Sequence, residues 1–245
     1  MSHRSALWLA LMMALASPAS AENVALEYQV IESPDLPADA PIVLAIHGYG
    51  DSATGFSRFV SRLKLPYRFI VPNAPTRRRQ GGYSWYRVRT AQAGADVAAS
   101  TRQLKTLVDH VRKRWPRAPR PLLIGFSQGA VMGFSMAARH PSALSGVVAI
   151  SGYLVPGNLP IARSSAGPEM LLIHGRSDTV VPFEEGREAA ERFRRKGYDV
   201  TFFEHPGAHG VPSKALNKAR HWLGITVEAF RGGRWRQHKQ GRPMR

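Results

Sequence analysis

Three residue types that together make a nucleophile out of a hydroxyl occur in this chain in a telling order. Ser127 stands in Gly125-Phe126-Ser127-Gln128-Gly129, Asp178 in His174-Gly175-Arg176-Ser177-Asp178, and His209 in His205-Pro206-Gly207-Ala208-His209-Gly210. A serine hydroxyl is a weak nucleophile at neutral pH and needs a base to take its proton. An imidazole can be that base, and a carboxylate can fix the ring and stabilise its charged form. The G-x-S-x-G pattern becomes informative only where a strand enters it and a helix leaves it. Here the apolar Leu122-Leu123-Ile124 enters, and a helical stretch up to His140-Pro141 leaves. Ser127 is therefore read as nucleophile, His209 as base and Asp178 as its orienting acid, in the chain order serine, acid, histidine.

A reaction through a tetrahedral intermediate also needs N–H donors for the oxyanion. The expected donors are the backbone N–H groups of Gln128, directly after the nucleophile, and of Tyr49 in the loop His47-Gly48-Tyr49-Gly50. His47 is read as structural. Of the nine histidines, His205 is the rival base, but it lies too close to its strand to swing over the serine.

These residues fall at the ends of short apolar runs. Pro41 to Ile46, Leu122 to Ile124, Val147 to Ile150 and Leu171 to Ile173 read as strands buried on both faces, and Tyr67 to Val71 and Tyr198 to Phe203 as two more. Between them run helical patterns over residues 52–64, Ala93 to Trp115, the stretch after Ser127, Phe183 to Lys196, and Ser213 to Leu223. Residues 24–33 add one edge strand. The alternation predicts an α/β fold, a mostly parallel twisted sheet with helices on both faces, whose function collects at the carboxyl ends of the strands.

The 245 residues carry 34 Lys+Arg against 17 Asp+Glu, a formal charge of +17, and no cysteine. The missing cysteines exclude disulfides, a thiolate nucleophile, iron–sulfur clusters and cysteine-bound zinc. His205 and His209 have the spacing of a helical metal pair, but Pro206 and Gly207 between them forbid the helix. With no P-loop and no dinucleotide fingerprint either, the expectation is no cofactor and no metal. Since 27 of the 34 basic residues are Arg and Ala is abundant, compositional drift explains the charge as well as a binding surface does. The surface suits weak association with an anionic membrane or polymer, and no specific nucleic-acid partner is expected.

Residues 1–21 have the anatomy of a secretory signal peptide: Arg4, an apolar run from Ala6 to Ala16, and a small-residue site ending at Ala21. The run falls short of the ~20 residues of a membrane span. The expected organisation is a signal peptide over 1–21, one catalytic domain over 22–223, and a disordered basic tail over 224–245, in a protein exported to the periplasm or medium.

The motifs HGYGDS at 47–52, PNAP at 72–75, GGYSWY at 81–86, GFSQGA at 125–130, HGRSDTVVP at 174–182 and GAHG at 207–210 resemble those of the phospholipase/carboxylesterase family of α/β-hydrolases. That family includes the acyl-protein thioesterases and many small bacterial carboxylesterases. The resemblance runs from about residue 40 to 223 and implies an α/β-hydrolase fold with little or no lid. It also implies a small-molecule or lipid ester or thioester as substrate, with a short to medium acyl chain. By the same resemblance GGYSWY lines the acyl groove, with Trp85 as a wall; plain core packing is the alternative for Trp85 and Tyr86. The family commonly has an acidic residue after the tryptophan–aromatic pair, whereas this chain has Arg87 and Arg89, with Arg77-Arg78-Arg79 upstream. That departure predicts a basic entrance and an anionic or membrane-borne substrate rather than an acyl protein. The alternatives are a lysophospholipase, a depolymerase of polyesters or acylated polysaccharides, and an inactive basic module that binds anionic membrane or nucleic acid.

Overall fold

A computed structural model of the chain describes residues 26–155, 161 and 167–231, with side chains as far as residue 225. The expected signal peptide over 1–21 and the last part of the expected tail, 232–245, lie outside the described residues.

Strands and helices alternate. In chain order they are β1 (Tyr28–Ile31), β2 (Ile42–Ile46), α1 (Ala53–Leu63), β3 (Arg68–Pro72), β4 (Thr76–Arg77), β5 (Tyr83–Ser84), α2 (Ala93–Arg114), β6 (Leu122–Phe126), α3 (Gln128–Arg139), β7 (Gly146–Ile150), β8 (Glu169–Gly175), α4 (Phe183–Arg195), β9 (Val200–His205) and α5 (Ser213–Arg231). Seven strands form one sheet in the order β1-β3-β2-β6-β7-β8-β9. Only the edge strand β1 runs antiparallel to its neighbour; the other pairs are parallel.

The central strands β2, β6 and β7 are apolar throughout because each face of the sheet is covered there. Ile42, Leu44 and Ile46 of β2 join a cluster with Leu104 and Leu107 of α2, Met132 and Met136 of α3, and Phe193 of α4. Val43 and Ala45, one residue out of phase, join the opposite cluster with Phe56, Val60 and Leu63 of α1 and Ala219 and Leu223 of α5. Burying one such Leu, Val or Ile stabilises the fold by about 1.5–3 kcal/mol, so this alternation fixes the register of the central strands. Ser52 caps α1 by accepting the Gly55 N–H at 3.1 Å.

The structure departs from the sequence reading in two places. The ribbon of β4 and β5, paired through Thr76↔Ser84 and Arg77↔Tyr83, is two residues long on each side and leaves no periodic trace. It is fastened to the His47 loop, with Gly50 N–H donating to Tyr83 O and Tyr83 N–H to Asp51 O, both at 2.8 Å. The last helix does not stop at Leu223 but continues to Arg231, which corrects the expected start of the tail at 224. Gly224 costs a helix about 1 kcal/mol without breaking it, and no proline follows until residue 243.

Candidate active site

Ser127 sits in the one-residue turn between β6 and α3 with φ 54° and ψ −115°. A side chain other than glycine's pays about 1–3 kcal/mol for such a backbone, and the surroundings must enforce it. They do so by close approach. A Cβ on Gly125 would lie 2.2 Å from Gly129 O, and one on Gly129 would lie 2.0 Å from Ile46 O. The Ser127 N–H donates to Ile150 O of β7 at 2.8 Å, so the turn is tied to the sheet on both sides.

His209 Nε2 is 3.1 Å from Ser127 Oγ, and His209 Nδ1 is 2.7 Å from Asp178 Oδ2. With the carboxylate accepting from Nδ1–H, Nε2 of the neutral ring is the nitrogen left to receive the serine proton. The Asp178 side chain is fully buried, while His209 keeps 15% exposure. Burial pushes the Asp178 carboxyl up, but the N–H groups of Val181 and Val180, together with His209, outweigh it and hold the acid below its ordinary range. Both N–H groups reach Oδ1 at 2.9 Å. The structure thus brings the three expected residues into one hydrogen-bonded chain.

The loops carrying the acid and the base are joined edge to edge. Arg176 N–H donates to His205 O at 2.7 Å, Ser177 N–H to Gly207 O at 3.2 Å, and Ser177 Oγ to Pro206 O at 3.1 Å. Gly175 permits this approach, since a Cβ there would meet Gly207 O at 2.2 Å. His205 is turned into the protein and does not contact Ser127 or the Asp178 carboxylate through any hydrogen bond among the described residues.

Across from His209 lies the His47 loop. Gly48 packs against Ser127, and a Cβ on it would sit 3.5 Å from Ser127 Cβ. Neither Tyr49 nor Gln128 has a hydrogen-bond acceptor for its backbone N–H among the described residues, so both of the expected oxyanion donors remain available. His47 is buried with both ring nitrogens committed: Nε2 accepts the Ala74 N–H at 3.1 Å, and Nδ1–H donates to Gly48 O at 2.7 Å. Burial lowers its pKa and keeps it neutral, against the opposing pull of Gly48 O and Asp51. It is a brace for the loop, as the sequence suggested.

Trp85 and Tyr86 are 1% and 2% exposed, so neither forms a groove wall; this corrects the expectation taken from the resemblance in favour of core packing. The reason is a set of hydrogen bonds from the Gln128 side chain, whose Oε1 accepts the Trp85 N–H at 3.0 Å and whose Nε2 donates to Tyr86 O at 2.9 Å. Trp85 Nε1–H in turn donates to His47 O at 3.0 Å. Gln128 therefore joins the nucleophile turn, the 84–86 segment and the His47 loop from behind. A glutamine beside the nucleophile was legible in the sequence, but its partners some forty residues upstream were not.

The basic rim is also only partly as expected. Arg87 is neutralised by Asp96, with Nε to Oδ2 and Nη2 to Oδ1 both at 2.8 Å. Arg78 instead places its guanidinium carbon 4.1 Å from the centre of the Tyr49 ring, and Arg77 and Arg79 beside it are exposed. A hollow lined in part by Val131, Phe134 and Tyr153 holds about 10 Å³, the room of one water, too little for an acyl chain.

Comparison with known proteins matches residues 26–227 to the model of the phospholipase/carboxylesterase family. Acyl-protein thioesterase 1 of Debaryomyces hansenii is 28% identical over 212 residues, covering 76% of this chain and 91% of its own. Esterase YpfH of Escherichia coli is 28% identical over 225 residues, covering 85% and 94%. The crystal structure of the Bacillus cereus carboxylesterase superposes with a TM-score of 0.72 at 17% identity, covering 83% of this chain and 96% of the other, which speaks to the fold.

Proposed function

The chain belongs to the phospholipase/carboxylesterase family and is a carboxylic-ester hydrolase, and from that premise we propose that it works through Ser127, His209 and Asp178 by way of an acyl-enzyme. Ser127 Oγ attacks the ester carbonyl as its proton passes to His209 Nε2. The carbonyl electrons move onto oxygen, which the N–H groups of Tyr49 and Gln128 hold. When the intermediate collapses, the ester C–O bond breaks and His209 returns the proton to the leaving alkoxide. Water, deprotonated by the same nitrogen, then attacks the acyl-serine and releases the acid. Asp178 keeps Nδ1 protonated throughout.

The observation that carries this reading is the unbroken chain of hydrogen bonds from Ser127 Oγ through His209 to Asp178. Its test is hydrolysis of p-nitrophenyl esters from acetate to palmitate by wild type and Ser127→Ala. Loss of about 10³-fold or more in kcat is expected, with an optimum at short to medium chains. A variant that keeps most of its turnover contradicts it. Export rests on residues 1–21 and predicts a mature N-terminus at Glu22 in the periplasm or medium; an intact Met1 on protein from the native host contradicts it. An exported enzyme would meet few acyl proteins of the cytosol, so a simple or lipid ester is the better substrate.

The seat of Arg78 over Tyr49 favours a second element of the reading, a substrate carrying negative charge. No carboxylate among the described residues pairs with Arg77, Arg78 or Arg79, and Arg78 stands against the oxyanion loop. Activity on an anionic lipid ester should then fall steeply with salt and flatten in Arg78→Ala. Rates that ignore salt in the wild type remove this element and leave the esterase reading intact.

A further inference from the structure

Two histidines besides the base crowd the buried acid, and they are held differently. His174 Nε2 donates to Val181 O at 2.9 Å and passes Asp178 Oδ2 at 3.5 Å. His205, the last residue of β9, is 2% exposed, and its Nδ1 accepts the Gly207 N–H at 3.1 Å. Its Nε2 is buried and has no hydrogen-bond partner among the described residues. A neutral ring whose Nδ1 accepts must carry its proton on Nε2. Among the described residues the ring therefore holds the chain through Nδ1 alone. Leucine or phenylalanine would fill the place but offer no acceptor, so the acceptor at Nδ1 is what a histidine adds here.

What Nδ1 holds is the arm that leads to the base. Gly207 is two residues before His209. Its N–H is taken by His205, its carbonyl accepts from Ser177 N–H at 3.2 Å, and a Cβ on it would press to 3.0 Å from His205 Nδ1. The peptide is gripped by the ring on one side and by the acid loop on the other. Only Ala208 separates this anchor from His209, whose Nε2 must stay near 3.1 Å from Ser127 Oγ.

We propose that His205 is a positioning residue for the base: its unprotonated Nδ1 anchors the Gly207 N–H and thereby sets where His209 stands relative to Ser127. This rests on the reading that Ser127 and His209 carry the reaction. A proton on Nδ1 would turn the acceptor into a second donor facing the Gly207 N–H, and the arm would come loose. The groups that bear on the ring are His174 on β8, Asp178 in the loop after β8, and Lys214 in the first turn of α5; the adjacent Glu204 is paired with Arg176. Burial, His174 and Lys214 all oppose a second proton and only Asp178 favours one, so the ring's pKa lies below its ordinary value. The anchor holds at neutral pH and is released on the acid side.

The test compares wild type, His205→Leu and His205→Asn in p-nitrophenyl butyrate hydrolysis across the range about pH 5–9, which spans the histidine titration. Leucine fills the space and offers no acceptor. Asparagine Oδ1 stands close to the place of Nδ1, accepts, and takes up no proton in this range. His205→Leu should lose about tenfold or more in kcat with KM little changed, since small misplacements of a catalytic group cost that much. His205→Asn should recover most of the loss, and its activity should decline less on the acid side than the wild type's. A leucine variant with the wild-type kcat and acid limb overturns the proposal, as does an asparagine variant as impaired as the leucine one. Nitrogen-15 imidazole spectra of folded wild type check the same point without a variant: His205 should be protonated on Nε2 and bare on Nδ1 near neutral pH, and the opposite tautomer overturns the proposal. Undiminished activity in Ser127→Ala would remove the reading beneath it. An inactive Ser127→Ala beside an unaffected His205→Leu removes this inference alone.

Discussion

The two flanks of Ser127 each hold a histidine followed by a glycine, and the two rings are held in opposite ways. His209 has one ring nitrogen on a buried carboxylate and the other on the serine hydroxyl, so a proton can arrive and leave. His47 has both nitrogens on backbone groups, Ala74 N–H and Gly48 O, so its proton is locked in place. Both are His-Gly pairs, His47 directly after β2 and His209 four residues past the end of β9. What separates the two rings is the partner of each nitrogen, and all but Gly48 O come from elsewhere in the chain.

If the base flank works through its acid, Asp178→Asn should cost most. An amide in that place no longer favours the tautomer that leaves Nε2 free, and kcat should fall by about 10³–10⁴-fold with KM little changed. A loss under tenfold in steady-state assays would mean that Asp178 does not orient the base. On the other flank, Gln128→Ala should act mainly on the frame. It strands the Trp85 N–H in a buried place, at about 1–3 kcal/mol of stability, and leaves Tyr86 O with the Ser84 hydroxyl as its donor. Urea denaturation reads this directly, and an unchanged midpoint would show that the hydrogen bonds behind the oxyanion loop contribute nothing.

The smallest expected effect is the pH dependence of stability. Burial lowers the pKa of His47, His174 and His205 below the ordinary 6.5, so the unfolded chain binds protons there before the folded one does. Their contribution is present in full above pH 6.5 and is lost as pH falls through the lowered folded values. Asp178, depressed below 3.8, keeps its contribution until pH falls through the carboxylate range. The melting temperature should therefore decline gently between about pH 7 and 5 and again below about pH 4. A flat profile between pH 7 and 5 contradicts the assignment of buried neutral rings.

How far the sequence carries can be read from the same two flanks. The glycines at 125 and 129 are demanded by contacts close enough to exclude any side chain, so the elbow is visible in the residue types alone. The apolar strands were visible because both faces of the sheet are covered, which leaves no polar alternation to confuse the pattern. The position of Trp85 was not visible, since it is pulled inward by Gln128, a residue more than forty positions away. Arg87 was read as part of a free basic rim, and its partner Asp96 lies nine residues on, outside the span of any local rule. The β4–β5 ribbon is shorter than the period that would betray it. Local sequence determines the elements and the turn that bears Ser127; the long-range hydrogen bonds that finish the site do not leave a local trace.

The central claim is that Ser127 becomes acylated. Rapid acid quench of the wild type during p-nitrophenyl ester turnover, followed by mass spectrometry of its peptides, tests this with the fewest intervening steps. The acyl group should appear on the peptide that carries Ser127 and should be absent from Ser127→Ala treated alike. Acylation of a different residue, or turnover by wild type with an unmodified Ser127 at every time point and a Ser127→Ala variant that matches it, would contradict the account.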